Sequence, residues 1–370
     1  MNIPNIELFE WLNKYSKQAK YVLANSNIPG LTYEVYQNFT KYSIPHDFDL
    51  NKNNDYGAED LLNALCSLYS CLPENIVTTT GGSEANFLVF ASLIKPGDEV
   101  IVEKPGYEPL YRTPSIFGAN TVYWERTYKK SFELDLANIN DLITKKTRLI
   151  VLTNLHNPSG VCISRKILQE LNEIIEPKNI YLLIDEIFLD GSVNNQVSAF
   201  GLSNVIISSS MTKVYGLGGL RTGWIAAPAE IANKCQITKS HTTGCSTYIS
   251  EILSSHILRN GKESLIRSYK QLSKTNISII RKWINKNHVL LEWVEPHGGV
   301  VCFPKYHSNI LSVDLCMQLF KEFDVLVSPG SYFNKEGYIR LSFGCDSETL
   351  IKGLEALEYG LKKIIGSKQI

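Results

Sequence analysis

Short runs of β-branched and aliphatic residues alternate with longer amphipathic stretches between about residues 55 and 265. Six such runs lie at residues 100–103, 121–124, 148–153, 180–185, 205–209 and 224–227. Continuous apolar runs separated by helical patterns are typical of βαβ units, in which helices cover both faces of a mostly parallel sheet. The pattern therefore predicts an α/β domain in this part of the chain.

The C-terminal third of the chain shows a different pattern. Residues 231–290 lack strand-like runs and are predicted to be helical, and the well-charged stretch 262–282 predicts a long helix that links two domains. Short strands are predicted again between helical stretches, at residues 288–294, 299–303, 325–328 and 338–343. This mixture favours a second, smaller α+β domain.

The first fifty residues contain one predicted amphipathic helix, at residues 6–19, and an irregular stretch around residues 25–30. The predicted organisation is an N-terminal arm or lid that also forms part of the small domain, followed by the large and the small domain. Their predicted ranges are 1–50, 51–265 and 266–370.

Composition excludes several classes of function. The 37 basic and 37 acidic residues give a formal net charge of zero, so no large field is available to bind nucleic acid or an anionic membrane. The eight cysteines form no CxxC pair and have no histidine at zinc-ligand spacing, which indicates buried thiols in a reducing compartment and no metal site. Neither a signal peptide nor an apolar run of about 18 residues is present. We expect a cytoplasmic protein with a small polar ligand.

A glycine pair follows a strand-like run in the sequence VTTTGGSEANF at residues 77–87. Glycine allows close approach of the backbone, and the first-turn N–H groups of a helix that begins near Ser83 would favour an anion. An ordinary capped turn has the same pattern. The motif alone therefore leaves both interpretations open, a phosphate-binding turn and a structural cap.

A buried-strand pattern at residues 180–190, IYLLIDEIFLD, ends in acidic residues. Ligands of open α/β sheets lie at the carboxyl ends of the strands, which is where Asp185 is placed. Because burial of an unpaired carboxylate is costly, Asp185 needs a partner. It is either a ligand-binding acid or a member of a structural salt bridge or helix cap.

Lys213 lies in the glycine-rich segment SSSMTKVYGLGGLRTGW at residues 208–224. A lysine in apolar surroundings can have its pKa lowered enough to form a Schiff base, and Arg221, eight residues later, could bind a phosphate. The SMTK match to the SxxK motif of penicillin-binding enzymes lacks its SDN and KTG companions. The GLGGLR run fails GxGxxG because its last position is Arg221.

Together these motifs resemble those of the fold-type-I enzymes of the class I and II aminotransferase superfamily, which bind pyridoxal 5′-phosphate (PLP). The resemblance extends from about residue 50 to the C-terminus and implies a large domain with a mostly parallel seven-stranded sheet. It implies that Lys213 binds the cofactor covalently, that Asp185 pairs with its pyridinium nitrogen, and that Arg340 binds the substrate carboxylate as a bidentate pair. The other implied cofactor contacts are Asn157 at the ring hydroxyl, Tyr107 at the ring face, backbone groups of Gly82, Ser83 and Glu84 with Ser210 and Arg221 at the phosphate, and Tyr56 at the phosphate of a neighbouring subunit.

Two positions depart from the common pattern of that superfamily. Phe188 stands at the cofactor where common members have a tyrosine, three residues after the pyridinium aspartate, and Asp190 follows it. Together with the segments 10–12, 296–299 and 327–333, these two residues resemble the sequences of the hydroxyarginine cyclodehydratases that form capreomycidine and enduracididine. This narrower resemblance extends from about residue 6 to residue 345.

This narrower resemblance implies a guanidinium substrate, held by Asp190 and by Glu7 or Glu10, with Asn27 as a further substrate contact. Each of these residues also has an explanation without function. Phe188 can be a neutral substitution, Asp190 a solvated loop acid, and the two glutamates the polar face of a helix.

The expected function is a PLP-dependent cyclodehydratase of specialised metabolism that converts 3- or 4-hydroxyarginine to a cyclic guanidino amino acid. The alternatives are an aminotransferase with a keto acid acceptor, an arginine oxidase or hydroxylase, and a catalytically silent PLP-binding regulator. The resemblance also implies a homodimer with a shared active site.

Overall fold

The computed structural model describes residues 3–194 and 196–366 of the protein. The α-helices of this part are α1 (Glu7–Tyr15), α2 (Tyr33–Thr40), α3 (Glu59–Tyr69), α4 (Gly82–Leu93), α5 (Glu108–Ile116), α6 (Ile139–Leu142), α7 (Arg165–Ile175), α8 (Ala229–Lys239), α9 (Tyr248–His256), α10 (Lys262–Lys286), α11 (Ser312–Phe323) and α12 (Ser347–Gly366). The strands are β1 (Tyr21–Val22), β2 (Ile76–Thr79), β3 (Glu99–Lys104), β4 (Asn120–Glu125), β5 (Thr147–Thr153), β6 (Tyr181–Asp185), β7 (Val205–Ser210), β8 (Gly223–Ala226), β9 (Leu291–Glu292), β10 (Val301–Cys302), β11 (Lys305–Tyr306), β12 (Val325–Leu326), β13 (Ser328–Pro329) and β14 (Ile339–Ser342).

Seven strands form the central sheet, in the order β2-β8-β7-β6-β5-β3-β4. Strand β8 runs antiparallel to both of its neighbours, and the pairs from β7 to β4 are all parallel. Each of the six strand-like runs in the sequence corresponds to one strand of this sheet. The predicted α/β class and the mostly parallel seven-stranded sheet are confirmed.

Alternate residues of the central strands point to opposite faces of the sheet. Val151 and Leu183 pack in the cluster that includes residues of α4 and α8, whereas Leu182 and Ile184 pack in the larger cluster that includes residues of α7. All four side chains are buried. Because both faces are covered, the strands read as unbroken apolar runs in the sequence, and their carboxyl ends lie side by side.

The region predicted to be helical at residues 231–290 contains three α-helices, α8, α9 and α10. Gly244, with a φ of +68°, lies in the break between α8 and α9. Its left-handed backbone favours glycine in this turn, which follows the end of α8 at Lys239. The long helix α10 contains the whole predicted stretch 262–282.

The C-terminal strands are shorter than predicted, two to four residues each. Strands β10, β14 and β13 form an antiparallel sheet, and β9 pairs with β11. Strand β1 pairs in parallel with β12, with Tyr21 opposite Val325, so the N-terminal segment lies against the C-terminal part of the protein. Helix α1 ends at Tyr15, earlier than predicted. The domain boundaries at residues 50 and 265 stay a prediction.

All eight cysteines are free thiols. Only Cys235, Cys302 and Cys316 are buried, and the other five are partly exposed, so the prediction that all are buried is wrong. Within the described residues, no helix has both the length and the apolar composition needed to span a bilayer.

Candidate active site

A cleft of about 210 Å³, open to solvent at its mouth, lies at the carboxyl ends of the central strands. Strands β5, β6 and β7 end here, at Thr153, Asp185 and Ser210. This is the edge at which parallel α/β sheets bind ligands. Of the predicted site residues, the structure brings Asn27, Gly82, Ser83, Tyr107, Asn157, Asp185, Phe188, Lys213 and Arg221 to the walls of this cleft.

The Asp185 carboxylate is buried and held by neutral donors. Asn86 Nδ2 donates to its Oδ2 at 2.9 Å, and the Ile187 N–H donates to its Oδ1 at 3.1 Å. Ser208 Oγ donates to Asn86 Oδ1 at 2.6 Å and so fixes the amide orientation. Burial raises the pKa of Asp185, opposed by Asn86 and by the charge of Lys213. Since the carboxylate forms no ion pair within the described part of the protein, it can accept a cationic ligand group.

The Lys213 amine faces Asp185 across the cleft and contacts the N-terminal segment. Its Nζ donates to Ser26 Oγ at 3.0 Å and to Asn27 Oδ1 at 2.6 Å. Burial lowers the pKa of Lys213 to about 7, and the positive charge of Arg340 adds to this effect. A lysine with this pKa is partly neutral at physiological pH, so it can act as a nucleophile or a base.

The turn between β2 and α4 is built for an anion. Gly81 has a φ of +82°, and a Cβ there would lie 2.4 Å from Arg221 Nη2, so only glycine lets the guanidinium approach. Gly82 and Ser83 begin α4 and line the cleft. Helix N-terminal N–H groups with an arginine bind phosphate well.

Two further predicted phosphate contacts border this turn. Ser210 is buried at the end of β7, and its Oγ accepts the Thr212 N–H at 3.2 Å. The Glu84 carboxylate turns away from the cleft and accepts the hydroxyl of Thr243 at 2.7 Å, so only the backbone of Glu84 is available to a phosphate.

Arg340 reaches the cleft through Asn157. Its Nη1 donates to Asn157 Oδ1 at 3.1 Å and its Nη2 donates to the Ala24 carbonyl at 2.8 Å. Its Nε is buried and has no hydrogen-bond partner within the described residues. Burial lowers the pKa of Arg340 to about 10, which leaves the group charged at neutral pH. A buried cation with an unused donor suits a carboxylate ligand.

Two aromatic residues frame the cleft near the cofactor positions. Tyr107 is half-buried, and burial raises the pKa of its phenol. Phe188 is 3% exposed and presents an apolar ring on the cleft wall. Where common members of the superfamily place a tyrosine hydroxyl, this protein therefore has an apolar ring on the same cleft wall as Asp185.

Asp190 does not line the cleft, in contrast to its predicted substrate contact. It lies in a 3₁₀ turn, Leu189–Gly191, that follows β6 and carries it away from Asp185. Its Oδ2 accepts the Tyr215 hydroxyl at 2.5 Å. Asp190 therefore contacts the loop that carries Lys213, and its contact with a substrate stays a prediction.

Neither predicted N-terminal acid lines the cleft. Glu7 pairs with Arg112 at 3.3 Å, and Glu10 is exposed. The orientation of α1 is set by its buried residues Leu8 and Trp11, and Phe9, which lies outside that buried face, lines the cleft. Helical spacing alone does not tell which face is covered.

The buried Glu108 carboxylate holds the start of α1. It accepts the N–H of Glu7 at 3.1 Å and that of Leu8 at 2.8 Å, and Arg112 Nε donates to it at 2.9 Å. A carboxylate at a helix N-terminus satisfies N–H groups that have no partner in the helix. Helix α1 is thereby fixed over the side of the cleft next to Tyr107.

Tyr56 also lies off the cleft. It is 69% exposed and borders a separate groove with Leu62, Ile76 and Val77. The contact predicted for Tyr56 is with the cofactor phosphate of a neighbouring subunit, and it stays a prediction.

Sequence reasoning missed several residues of the cleft. Phe9, Ser26, Asn86 and Thr153 line it. Asn86 lies within the glycine-pair motif, one helical turn after Gly82, and Ser26 precedes Asn27 in the irregular stretch. Their positions in the sequence could have indicated that Asn86 and Ser26 belong to the site, because polar residues in a motif or an irregular segment need hydrogen-bond partners.

Known proteins with similar sequences and folds include enzymes of one family. Residues 48–357 match the family model described as aminotransferase class I and II. Capreomycidine synthase of Streptomyces vinaceus is 28% identical, and the similarity covers 96% of this protein and 93% of that one. A PLP-dependent aminotransferase from Streptococcus suis 89-1591 has a TM-score of 0.92 and 31% identity, with 98% and 99% covered. The PLP-dependent cyclase OrfR has the same fold, with a TM-score of 0.89 and 22% identity, and 98% of each protein is covered.

Proposed function

This protein belongs to the aminotransferase class I and II family and is a PLP-dependent enzyme, and from this premise we propose that it is a hydroxyarginine cyclodehydratase. The proposed substrate is an L-arginine hydroxylated at its β or γ carbon, and the product is a cyclic guanidino amino acid of specialised metabolism. The observation that carries the proposal is the similarity to capreomycidine synthase along 96% of the sequence.

The donors and acceptors of the cleft fit PLP. The buried Asp185 carboxylate has only neutral hydrogen-bond donors, which suits a pyridinium partner. We assign the covalent cofactor lysine to Lys213, the ring hydroxyl contact to Asn157 and the ring face to Tyr107. The phosphate is assigned to the backbone of Gly82, Ser83 and Glu84, with Ser210 and Arg221. Bound PLP supplies an electron sink that makes the α hydrogen of an amino acid acidic.

Lys213 and Arg340 act on the amino acid itself. Arg340 would bind the substrate carboxylate through its unused Nε–H and one Nη group. Lys213 would accept the α hydrogen as a general base, since its lowered pKa makes the neutral amine available. In the net reaction the bond between the hydroxyl oxygen and its carbon breaks. A new C–N bond then forms within the same molecule, between its carbon chain and one of its guanidine nitrogens. The hydroxyl leaves with the proton of that nitrogen as water.

The guanidine must lose a proton to attack. Asp185 is the one acid among the described residues that line the cleft, and it is assigned to the cofactor. No carboxylate of the described cleft wall is therefore left to hold the substrate guanidinium as an ion pair.

The test uses the PLP-loaded enzyme with 3- and 4-hydroxyarginine and no keto acid. We expect a product one water lighter than the substrate by mass spectrometry, and no such product from Lys213→Ala. A strict requirement for 2-oxoglutarate, with glutamate as a product, would instead identify an aminotransferase.

The aminotransferase alternative has its own support. The Streptococcus suis aminotransferase is 31% identical along almost the whole sequence. An arginine oxidase or hydroxylase is a second alternative. Oxygen consumption with plain arginine, followed with an oxygen electrode, distinguishes it from both.

We further propose a cytoplasmic homodimer. The exposed Tyr56, beside its apolar groove, would reach the phosphate of the partner subunit. Light scattering gives the mass in solution. Loss of the hydroxyl in Tyr56→Phe should speed cofactor release, with no change in the dimer mass.

A further inference from the structure

The free amine of Lys213 is held by two neutral oxygens of the N-terminal segment. Ser26 Oγ accepts at 3.0 Å and Asn27 Oδ1 accepts at 2.6 Å. Both residues lie on the cleft wall opposite the strand ends. No step of the proposed reaction yet uses this contact.

The number of acceptors matches the needs of a neutral amine. Such an amine has two N–H donors and one lone pair in a tetrahedral arrangement. When Ser26 and Asn27 accept the two N–H groups, the lone pair is the one position left free. An amine bound in this way is oriented as a base rather than left to rotate.

We propose that Ser26 and Asn27 are positioning residues that receive the Lys213 amine whenever it is not bonded to the cofactor and aim its lone pair at the substrate. The inference rests on the proposed role of Lys213 as the base and does not depend on cyclisation. The two residues touch the lysine, and their effect on the substrate is exerted through it.

The segment that carries these oxygens is firmly held. Leu23 N–H donates to the Leu326 carbonyl at 2.8 Å, and the Ala24 carbonyl accepts Arg340 Nη2 at 2.8 Å. A Cβ on Gly344 would lie 2.2 Å from the Asn27 carbonyl oxygen, so glycine is required for this approach. Arg340, the proposed carboxylate ligand, therefore holds the backbone two residues before Ser26.

Neutral acceptors also matter for the charge of the amine. The charged groups that act on Lys213 are Arg340 and Arg221, which lower its pKa, and Asp185, which raises it; the Tyr107 phenol also lines the cleft. A carboxylate in contact with the amine would hold it protonated. The amide of Asn27 accepts an N–H without this effect.

The decisive variant is Asn27→Asp, which keeps the shape and replaces the amide oxygen with a carboxylate. Asn25→Asp is the matched control, since it adds the same charge two residues away and off the cleft wall. The probe is cyanate, which reacts with neutral amines. The carbamylation rate of Lys213 in the cofactor-free, full-length protein is followed against pH by peptide mass spectrometry.

We expect a midpoint near pH 7 for the unchanged protein and an upward shift of about one to three pH units in Asn27→Asp. In the PLP-loaded enzyme, the acid limb of α-hydrogen exchange with D₂O should move upward by the same amount. Equal midpoints for Asn27→Asp and Asn25→Asp would overturn the proposal.

Ser26→Ala supplies a second test that holds if Asn27→Asp does not fold. Loss of one acceptor should lower the plateau rate of α-hydrogen exchange by about two- to tenfold, with KM unchanged. An unchanged rate would refute the positioning role. Because the carbamylation midpoint needs no turnover, it can support this inference even when hydroxyarginine gives no cyclic product.

Discussion

The two walls of the cleft are built in different ways. The strand-end wall carries Asp185, Asn157 and Lys213 at or just after the ends of parallel strands, and all three line the cleft as predicted. The N-terminal wall, residues 6–27, was predicted to present Asn27 and either Glu7 or Glu10. It presents Asn27 together with Phe9 and Ser26, and neither glutamate lines it.

The difference follows from how each wall fixes its side chains. A strand within a parallel sheet has neighbours on both sides, so its register determines where its last residue lies. Helix α1 is fixed by partners distant in sequence, Glu108 at its start and the cluster around Trp11. The polarity of the residues on such a helix is therefore a poor guide to which face meets the ligand.

The strand-end wall should be the more sensitive of the two, with Lys213 the most sensitive position. Lys213→Ala removes both the covalent anchor and the proposed base, so turnover should fall by roughly 10²- to 10⁴-fold or more. Single-turnover assays of α-hydrogen exchange check this. A decrease of less than tenfold would show that another group serves as the base.

Asp185→Asn should give the next largest effect. The amide cannot hold a pyridinium nitrogen in its charged form, so turnover should fall by roughly 10²-fold, with an altered cofactor absorbance. Folding should persist, because Asn86 can still donate to the remaining oxygen. If the spectrum and the rate are both unchanged, Asp185 does not face the cofactor ring.

The N-terminal wall should affect substrate binding more than chemistry. Phe9→Ala opens the side of the cleft next to Tyr107, and the loss of the ring from the cleft wall should raise KM by about tenfold with little change in kcat. Steady-state kinetics with hydroxyarginine, the proposed substrate, separate the two constants. A main effect on kcat would place Phe9 among the groups that orient the reacting atoms.

Glu10→Gln and Asp190→Asn should have the smallest effects, within about twofold in KM. Glu10 is exposed, and an amide at position 190 keeps an oxygen to accept the Tyr215 hydroxyl. Asp190→Asn also serves as the charge-matched control for Asp185→Asn, five residues away. A tenfold rise in KM for either variant would restore the predicted acid contact with a guanidinium group.

The sequence by itself determined the α/β class and the central strands, and the resemblance of its motifs to a known family indicated the cofactor and the strand-end residues of the cleft. The strands depend on a local pattern, in which burial on both faces gives unbroken apolar runs and polar residues follow where such runs end. The lengths of the C-terminal strands were harder to predict, because a two-residue strand has too few residues to show a hydrophobic pattern. The turn at Gly244 was also missed, because its left-handed backbone depends on a single residue.

The tertiary structure alone decided what covers the cleft. Asp190 and Asp185 are five residues apart in one segment, yet one accepts a hydrogen bond from Tyr215 and the other faces the ligand. The Lys213 amine meets Ser26 and Asn27 from nearly two hundred residues earlier in the sequence. Such contacts depend on how distant elements pack on one another, and neither periodicity nor motif spacing records that packing.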